Sequence, residues 1–363
     1  MIQYLVRRFF YSDIDSTVSS EMKKGVLLMR KGKFTTKLKS DDNMFKELFR
    51  RHPNNPILTA KDWSYPVHSV FNPGATTFEG KVLLLVRVED RRGFSHLTTA
   101  VSENGIDHWQ IDSTPTIEPD IYDHPEELWG IEDPRISRLE SLGKWAITYT
   151  AFSQSGPLVS LALTEDFKTF SRLGAITSGE DKDAALFPRR INGKWVLIHR
   201  PIVASYVAGA HIWLSYSDDL SHWSDQQVLM HARSGGWWDS GKIGLSAPPL
   251  ETPQGWLLLY HGVRQTGSGC LYRLGLALLD LENPLKVLHR SDEWIFGPEM
   301  PYETQGDVAN VVFSCGWVLD EKTGVIQIYY GGADTCIALA TSTIGELLEY
   351  ICRCPEPSHG DFY

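Results

Sequence analysis

Five times along this 363-residue chain, a turn carrying glycine launches a run of apolar, strand-forming residues. The runs follow Gly80, Gly143, Gly193, Gly255 and, more loosely, Gly324. Each is preceded by one strand-like stretch and followed by another. Successive copies begin 63, 50, 62 and 69 residues apart, a period suited to one four-stranded sheet plus loops per repeat. The fold class expected is therefore all-β, a five-bladed β-propeller over residues 61–342. Short helical extensions are expected at the N-terminus, residues 1–60, and at the C-terminus, residues 343–363. Closing five blades into a ring leaves an axial funnel, so whatever the innermost strands carry faces one common site.

Composition narrows the partners. A formal net charge of −10 argues against nucleic acid or an anionic membrane surface as a general ligand, so any cationic site must be local. The first ten residues place Arg7 and Arg8 after too short an apolar run for a secretory signal, and no later run approaches ~20 apolar residues. A cytoplasmic protein without membrane attachment is expected. Five cysteines, odd in number and without paired spacing, read as reduced thiols rather than a zinc site or disulfide scaffold. No His-rich or Cys-rich ligand set calls for a metal.

Outside the repeats, residues 41–51 start acidic, carry apolar residues every three to four positions and end basic before Pro53, which reads as a short helix. It is expected to pack on the ring or on a neighbouring subunit, so a homo-oligomer stays open. Residues 343–352 read as a terminal helix. Trp63, Trp109, Trp129, Trp237 and Trp238 lie between strand runs, which makes them candidates for stacking on sugar rings.

The stretch ahead of each glycine turn is too polar for a purely structural strand: residues 71–75, 130–135, 182–188, 242–248 and 307–311. In a propeller such strands line the axis, where Pro, Gly and charge are tolerated best if they serve a ligand. Glu132 and Asp133 supply carboxylates. Arg87, Lys182, Arg200, Lys242 and His261 supply cationic or donor groups near the inner ends of strands. Together they predict an anion site flanked by an acid. Arg200 and His261 follow long apolar runs and should be buried.

The set Asn72-Pro73-Gly74, Val86-Arg87-Val88-Glu89, Glu132-Asp133-Pro134-Arg135, Leu186-Phe187-Pro188, His199-Arg200-Pro201, Tyr260-His261-Gly262 and residues 329–334 resembles glycoside hydrolase family 130, the β-mannoside phosphorylases. The likeness runs from about residue 65 to about residue 350. It implies a five-bladed propeller that splits a β-mannoside with inorganic phosphate, releasing α-mannose 1-phosphate. Carried over by position, it makes Asp133 the proton donor and sets Asn72, Arg87, Glu132 and Asp334 around the mannosyl unit. Lys182, Arg200, Lys242, His261 and Tyr272 fall on phosphate-side positions; Lys182 stands where the family often has Arg.

The chemistry implied is a single inverting displacement by phosphate, with no cofactor beyond that co-substrate. The acid is expected to pass its proton through a mannose hydroxyl, and Asp133 is expected to have a pKa raised by burial and by Glu132, with the nearby cations pushing the other way. Two alternatives remain at this level. One is an inverting β-mannoside hydrolase, for which Glu89, Glu303 or Asp307 would be the base. The other is a noncatalytic sugar-binding propeller.

Overall fold

A computed structural model describes residues 47–202 and 210–357. Among the described residues, two short strands come first, β1 (Arg50–Arg51) and β2 (Leu58–Thr59). Five antiparallel sheets follow. The first is β3 (Ser69–Phe78), β4 (Lys81–Glu89), β5 (Ser95–Ser102) and β6 (Gln110–Ile111). The second is β7 (Ile131–Leu139), β8 (Lys144–Ser153), β9 (Gly156–Thr164) and β10 (Ser171–Ala175). The third is β11 (Asp181–Leu186), β12 (Trp195–Pro201), β13 (Ile212–Ser217) and β14 (Ser224–Met230). In the fourth, the inner position is shared by β15 (Lys242–Leu245) and β16 (Leu250–Thr252), which both pair with β17 (Gly255–Thr266) before β18 (Gly269–Leu279) and β19 (Val287–Arg290). Pro248 and Pro249, which donate no ladder hydrogen bond, fall in the gap between them. The fifth holds β20 (Val312–Asp320), β21 (Val325–Gly332) and β22 (Cys336–Thr343). The arrangement is the expected five-bladed propeller.

The second strand of each sheet is the apolar run read from the sequence. Leu83, Leu84, Leu85 and Val86 of β4 and Leu257, Leu258 and Leu259 of β17 are fully or almost fully buried, filling the spaces between adjacent blades from both faces. Outer strands are more polar, as in Ser224–Met230, where only the last residues turn inward.

The N-terminal extension behaves differently from expectation. Residues 47–49 are not helical and Arg50–Arg51 is a strand, hydrogen-bonded to β22; residues 41–46 of the expected helix lie outside the described residues. The edge of β22 offers ladder bonds that a segment ending at Pro53 can take more readily than a helix it cannot extend. Phe49 packs edge-on against Phe296 at 6.1 Å, and Arg51 is held by Glu303 at 2.8 Å. β2 also pairs with β22, so residues 50–59 join the fifth blade.

Two helices follow the expected pattern only in part. A four-residue α1 (Pro301–Thr304) was not foreseen, whereas α2 (Ile344–Ile351) matches the terminal helix and starts at Thr343, whose hydroxyl accepts from the Glu346 amide. Among the described residues, no helix is long and apolar enough to cross a membrane, and no group of three metal-ligating side chains occurs. All five cysteines are free thiols.

Candidate active site

Four of the five polar stretches become inner strands: β3, β7, β11 and β15. The fifth does not. Residues 307–311 form a loop, pinned by the Val308 and Val311 amides to the carbonyls of Ala333 and Glu303, and the inner strand β20 starts at Val312. Its polarity comes from its being a rim loop.

Three of the inner strands share one device. The pairing register slips between Phe71 and Gly74, between Glu132 and Arg135, and between Lys182 and Ala185. At each slip stands a residue in the left-handed conformation, Asn72 (φ 46°), Asp133 (φ 51°) and Asp183 (φ 55°). Asn and Asp enter that region at lower cost than other side chains, and a bulge re-aims the side chain it carries. All three line one cavity.

That cavity, of about 410 Å³, is lined by Asn72, Arg87, Asp133, Lys182, Asp183, Arg200, Lys242, His261, Tyr272 and Asp334, with Phe313 and Val311 among its apolar walls. Every site residue expected from the sequence lines it except Glu132, which stands behind Arg87 at 3.1 Å and Lys182 at 3.9 Å. A larger depression of about 550 Å³ opens where the same inner strands end, lined by Ala75, Ile136, Pro188 and Trp317. Arg138, the only cation on its lining, stacks on Trp145 at 3.9 Å and is already paired with Glu140 at 3.3 Å, so this depression offers no free cation for an anion. The chemistry belongs to the smaller cavity.

Charges are sorted by blade. On the side of the first, second and fifth blades, Asp133 Oδ1 accepts from Asn72 Nδ2 at 3.0 Å and from Arg87 Nη1 at 3.0 Å. Arg87 Nε donates to Ser95 Oγ at 3.0 Å, and Glu89 lies 3.5 Å away. A Cβ on Gly331 would stand 2.2 Å from Asn72 Oδ1, so only glycine leaves room for that amide. On the side of the third and fourth blades stand Lys182, Arg200, Lys242, His261 and Tyr272. Lys242 Nζ lies 5.3 Å from the centre of the Tyr272 ring and has no carboxylate partner among the described residues. His261 stacks on Tyr272 with centroids 6.2 Å apart and leans on Phe313 at 4.6 Å. Arg200 and His261 are buried, as expected.

Asp183 organises this second side and was missed in the sequence. Its carboxylate accepts from Arg200 Nε at 2.6 Å and faces His261 Nε2 and Arg135 Nη2, each at 3.4 Å. A Cβ on Gly244 would fall 2.3 Å from Asp183 Oδ2, which explains the glycine in the fourth inner strand. Arg135 ties the floor together, donating to the Ser246 and Leu245 carbonyls at 2.7 and 2.6 Å. The signal for Asp183 was the repeat itself: it follows Lys182 as Asp133 follows Glu132 and Asn72 follows Phe71.

Protonation differs from expectation. Burial raises the Asp133 carboxyl, but Arg87, Lys182, the Asn72 hydrogen bond and Arg135 together outweigh it and hold it below the usual range. The cations win, and Glu132 does not reverse them. Asp334 goes the other way: burial, then the charge of Asp133, push it up to about 7, against the pull of Arg87. Burial also lowers His261, opposed by Asp183. Of these two carboxyls, Asp334 is therefore the one that keeps a proton to the higher pH. Because its folded pKa is raised, the stability it contributes is full below about pH 4 and is lost as pH climbs through about 7. Asp334→Asn is expected to flatten that part of the pH dependence of the thermal midpoint; an unchanged slope would show that the proton resides elsewhere.

Comparison with known proteins settles the family. The profile described as beta-1,4-mannooligosaccharide phosphorylase matches residues 48–353. The chain belongs to glycoside hydrolase family 130. Among relatives within the family, it is 38% identical over 308 residues to a beta-1,2-mannobiose phosphorylase of Thermoanaerobacter sp. (strain X514), covering 80% of this chain and 95% of the relative. It is 33% identical over 312 residues to a beta-1,4-mannooligosaccharide phosphorylase of Ruminococcus albus, covering 84% and 91%. Among solved structures, the beta-1,2-mannobiose phosphorylase of Listeria innocua, in complex with beta-1,2-mannobiose, superposes with a TM-score of 0.76 at 28% identity, covering 84% of this chain and 99% of that one. Family 130 membership agrees with the propeller.

Of the five tryptophans proposed as stacking platforms, Trp63 and Trp238 are buried, and Trp109 packs edge-on against Tyr329 at 6.1 Å. Trp129 (39% exposed) and Trp237 (42%) keep open faces.

Proposed function

We propose that this protein is an inverting β-mannoside phosphorylase that uses inorganic phosphate as co-substrate and releases α-mannose 1-phosphate. One observation carries the reading: Asp133 faces a cationic wall of Lys182, Arg200 and Lys242 across a single cavity of about 410 Å³, within the size range of small-ligand sites. Phosphate would sit against that wall, with Tyr272 and His261 completing the cradle. Asn72 Oδ1 is buried without a hydrogen-bond donor beside Asp133, a place a sugar hydroxyl can fill. A phosphate oxygen forms the new bond to the anomeric carbon as the glycosidic bond breaks on the opposite face. The proton reaches the departing oxygen from Asp133 by way of a mannose hydroxyl.

Asp133 is ionised at rest, so it has to be loaded before it can act as an acid. A bound phosphate dianion offsets the Lys182 and Arg200 charges that hold Asp133 down, and sugar binding removes water; both raise its affinity for a proton. Asp334, about half protonated at pH 7 and lining the same cavity, can supply that proton. The carboxylates expected as base for the hydrolytic alternative are engaged elsewhere: Glu303 is buried against Arg51 and Tyr330, Asp307 pairs with His68 at the surface, and Glu89 is held behind Arg87. None of them lines the cavity.

The test is turnover of β-1,2- and β-1,4-mannobiose with and without phosphate, read as mannose 1-phosphate against free mannose. Formation of mannose 1-phosphate only when phosphate is added supports the reading, and free mannose at a rate indifferent to phosphate overturns it. Arg200→Lys keeps the charge but loses the fork held by Asp183. It is expected to raise the KM for phosphate about tenfold while the KM for the mannoside moves less than about twofold.

A further inference from the structure

We propose that Phe94 and Trp129 form an aromatic platform that binds the leaving-group sugar, the acceptor in the reverse direction; this rests on the phosphorolytic reading above. In a single displacement, nucleophile and leaving group occupy opposite faces of the anomeric carbon. The cations of the third and fourth blades mark the face from which phosphate attacks, so the leaving sugar departs past Asp133 over the first and second blades. Phe94, in the turn that leads into β5, and Trp129, just before β7, belong to those two blades. A parallel bridge joins Ser95 to Gly130, which sets the two preceding residues, Phe94 and Trp129, side by side on the rim. Both are 39% exposed. Ser95 accepts from Arg87, and Arg87 binds Asp133, so the pair is two hydrogen bonds from the acid.

Each ring is held in place before any sugar arrives. Trp129 leans edge-on against Phe152 at 5.4 Å, and its amide donates to the Phe152 carbonyl at 2.8 Å. Phe94 closes a turn in which Asp90 Oδ1 accepts from its amide at 3.1 Å, and the Arg92 guanidinium covers one face at 5.2 Å. Flat apolar faces, fixed and open to water, suit the C–H face of a pyranose.

The experiment measures phosphorolysis of both mannobioses, and the reverse reaction from mannose 1-phosphate, in the wild type and in Trp129→Ala, Phe94→Ala and Trp129→Phe. Each alanine variant is expected to raise the KM for the disaccharide and for the acceptor sugar about tenfold, with the KM for phosphate unchanged. Trp129→Phe should recover most of the loss. Alanine variants that turn over with unaltered disaccharide and acceptor KM overturn the platform. If Trp129→Ala does not fold, Phe94→Ala, altered on an exposed turn, decides alone. A wild type that never consumes mannobiose with phosphate instead overturns the phosphorolytic reading, an outcome distinct from wild-type turnover with indifferent variants.

Discussion

Replacing Asp133 by Asn is expected to lower kcat for phosphorolysis of a mannobiose about a thousandfold, within the range general acid catalysis supplies. The substitution keeps the shape of the side chain and an oxygen for Arg87 and Asn72 to bind, so the fold should persist. What disappears is the proton. A substrate whose leaving group needs none, such as an aryl β-mannoside of an acidic phenol, should therefore be cleaved by the variant at a rate much closer to that of the wild type. Equal losses on both substrates would instead make Asp133 a binding group. The contrast works because the geometry puts the deficit at one atom, Asp133 Oδ1 or its partner oxygen, while Lys182, Arg200 and Lys242 remain in place for the nucleophile.

Asp183→Ala is the second large effect, and it acts through stability. The carboxylate is buried, and burial is overcome by Arg200, then His261 and Arg135, which hold its pKa well below the usual range. Removing it leaves Arg200 and Arg135 facing each other in the floor without their shared anion. Breaking a buried pair from one side costs about 3–5 kcal/mol, so the denaturation midpoint in phosphate-free buffer should fall markedly. Phosphate replaces part of the missing charge and binds only the folded state. Added phosphate is thus expected to restore more stability to Asp183→Ala than it adds to the wild type. A variant as stable as the wild type, or one that phosphate does not rescue, would show that Asp183 holds nothing in register.

The five glycine turns made the architecture legible because a strand buried on both faces has to be largely apolar: β4, β12 and β17 carry continuous apolar runs, and β8 and β21 are interrupted only by Thr148, Thr150 and Gln327. The site residues could be read because the inner strands spend polar side chains where a structural strand would not. Asp183 escaped for a reason that is equally physical: beside Ala184 and Ala185 it looks like one acid in a short strand, and only the shared bulge with Asn72 and Asp133 shows where it points. The protonation of Asp133 was beyond the sequence, since it depends on distances of about 3 Å between residues far apart along the chain. Arg50 and Arg51 misled because their helix-like spacing belongs to a segment too near Pro53 to use it, and the free edge of β22 captured them instead. Of the tryptophans, sequence position separated loop from strand but not open from covered.

The pairing of β1 with β22 carries a further consequence. Arg50 meets Glu346 from 296 residues away, and the catalytic cavity draws side chains from Asn72 through Asp334. Joining such distant segments is entropically the slowest kind of contact to form. During synthesis, then, β1 and the first four sheets emerge before β22, the strand that β1 pairs with, and before Asp334, so no partial ring has a complete centre. Catalytic competence arrives in one step with the last blade, and an internal break that spared every named active-site residue but freed β1 would be expected to loosen all of them at once.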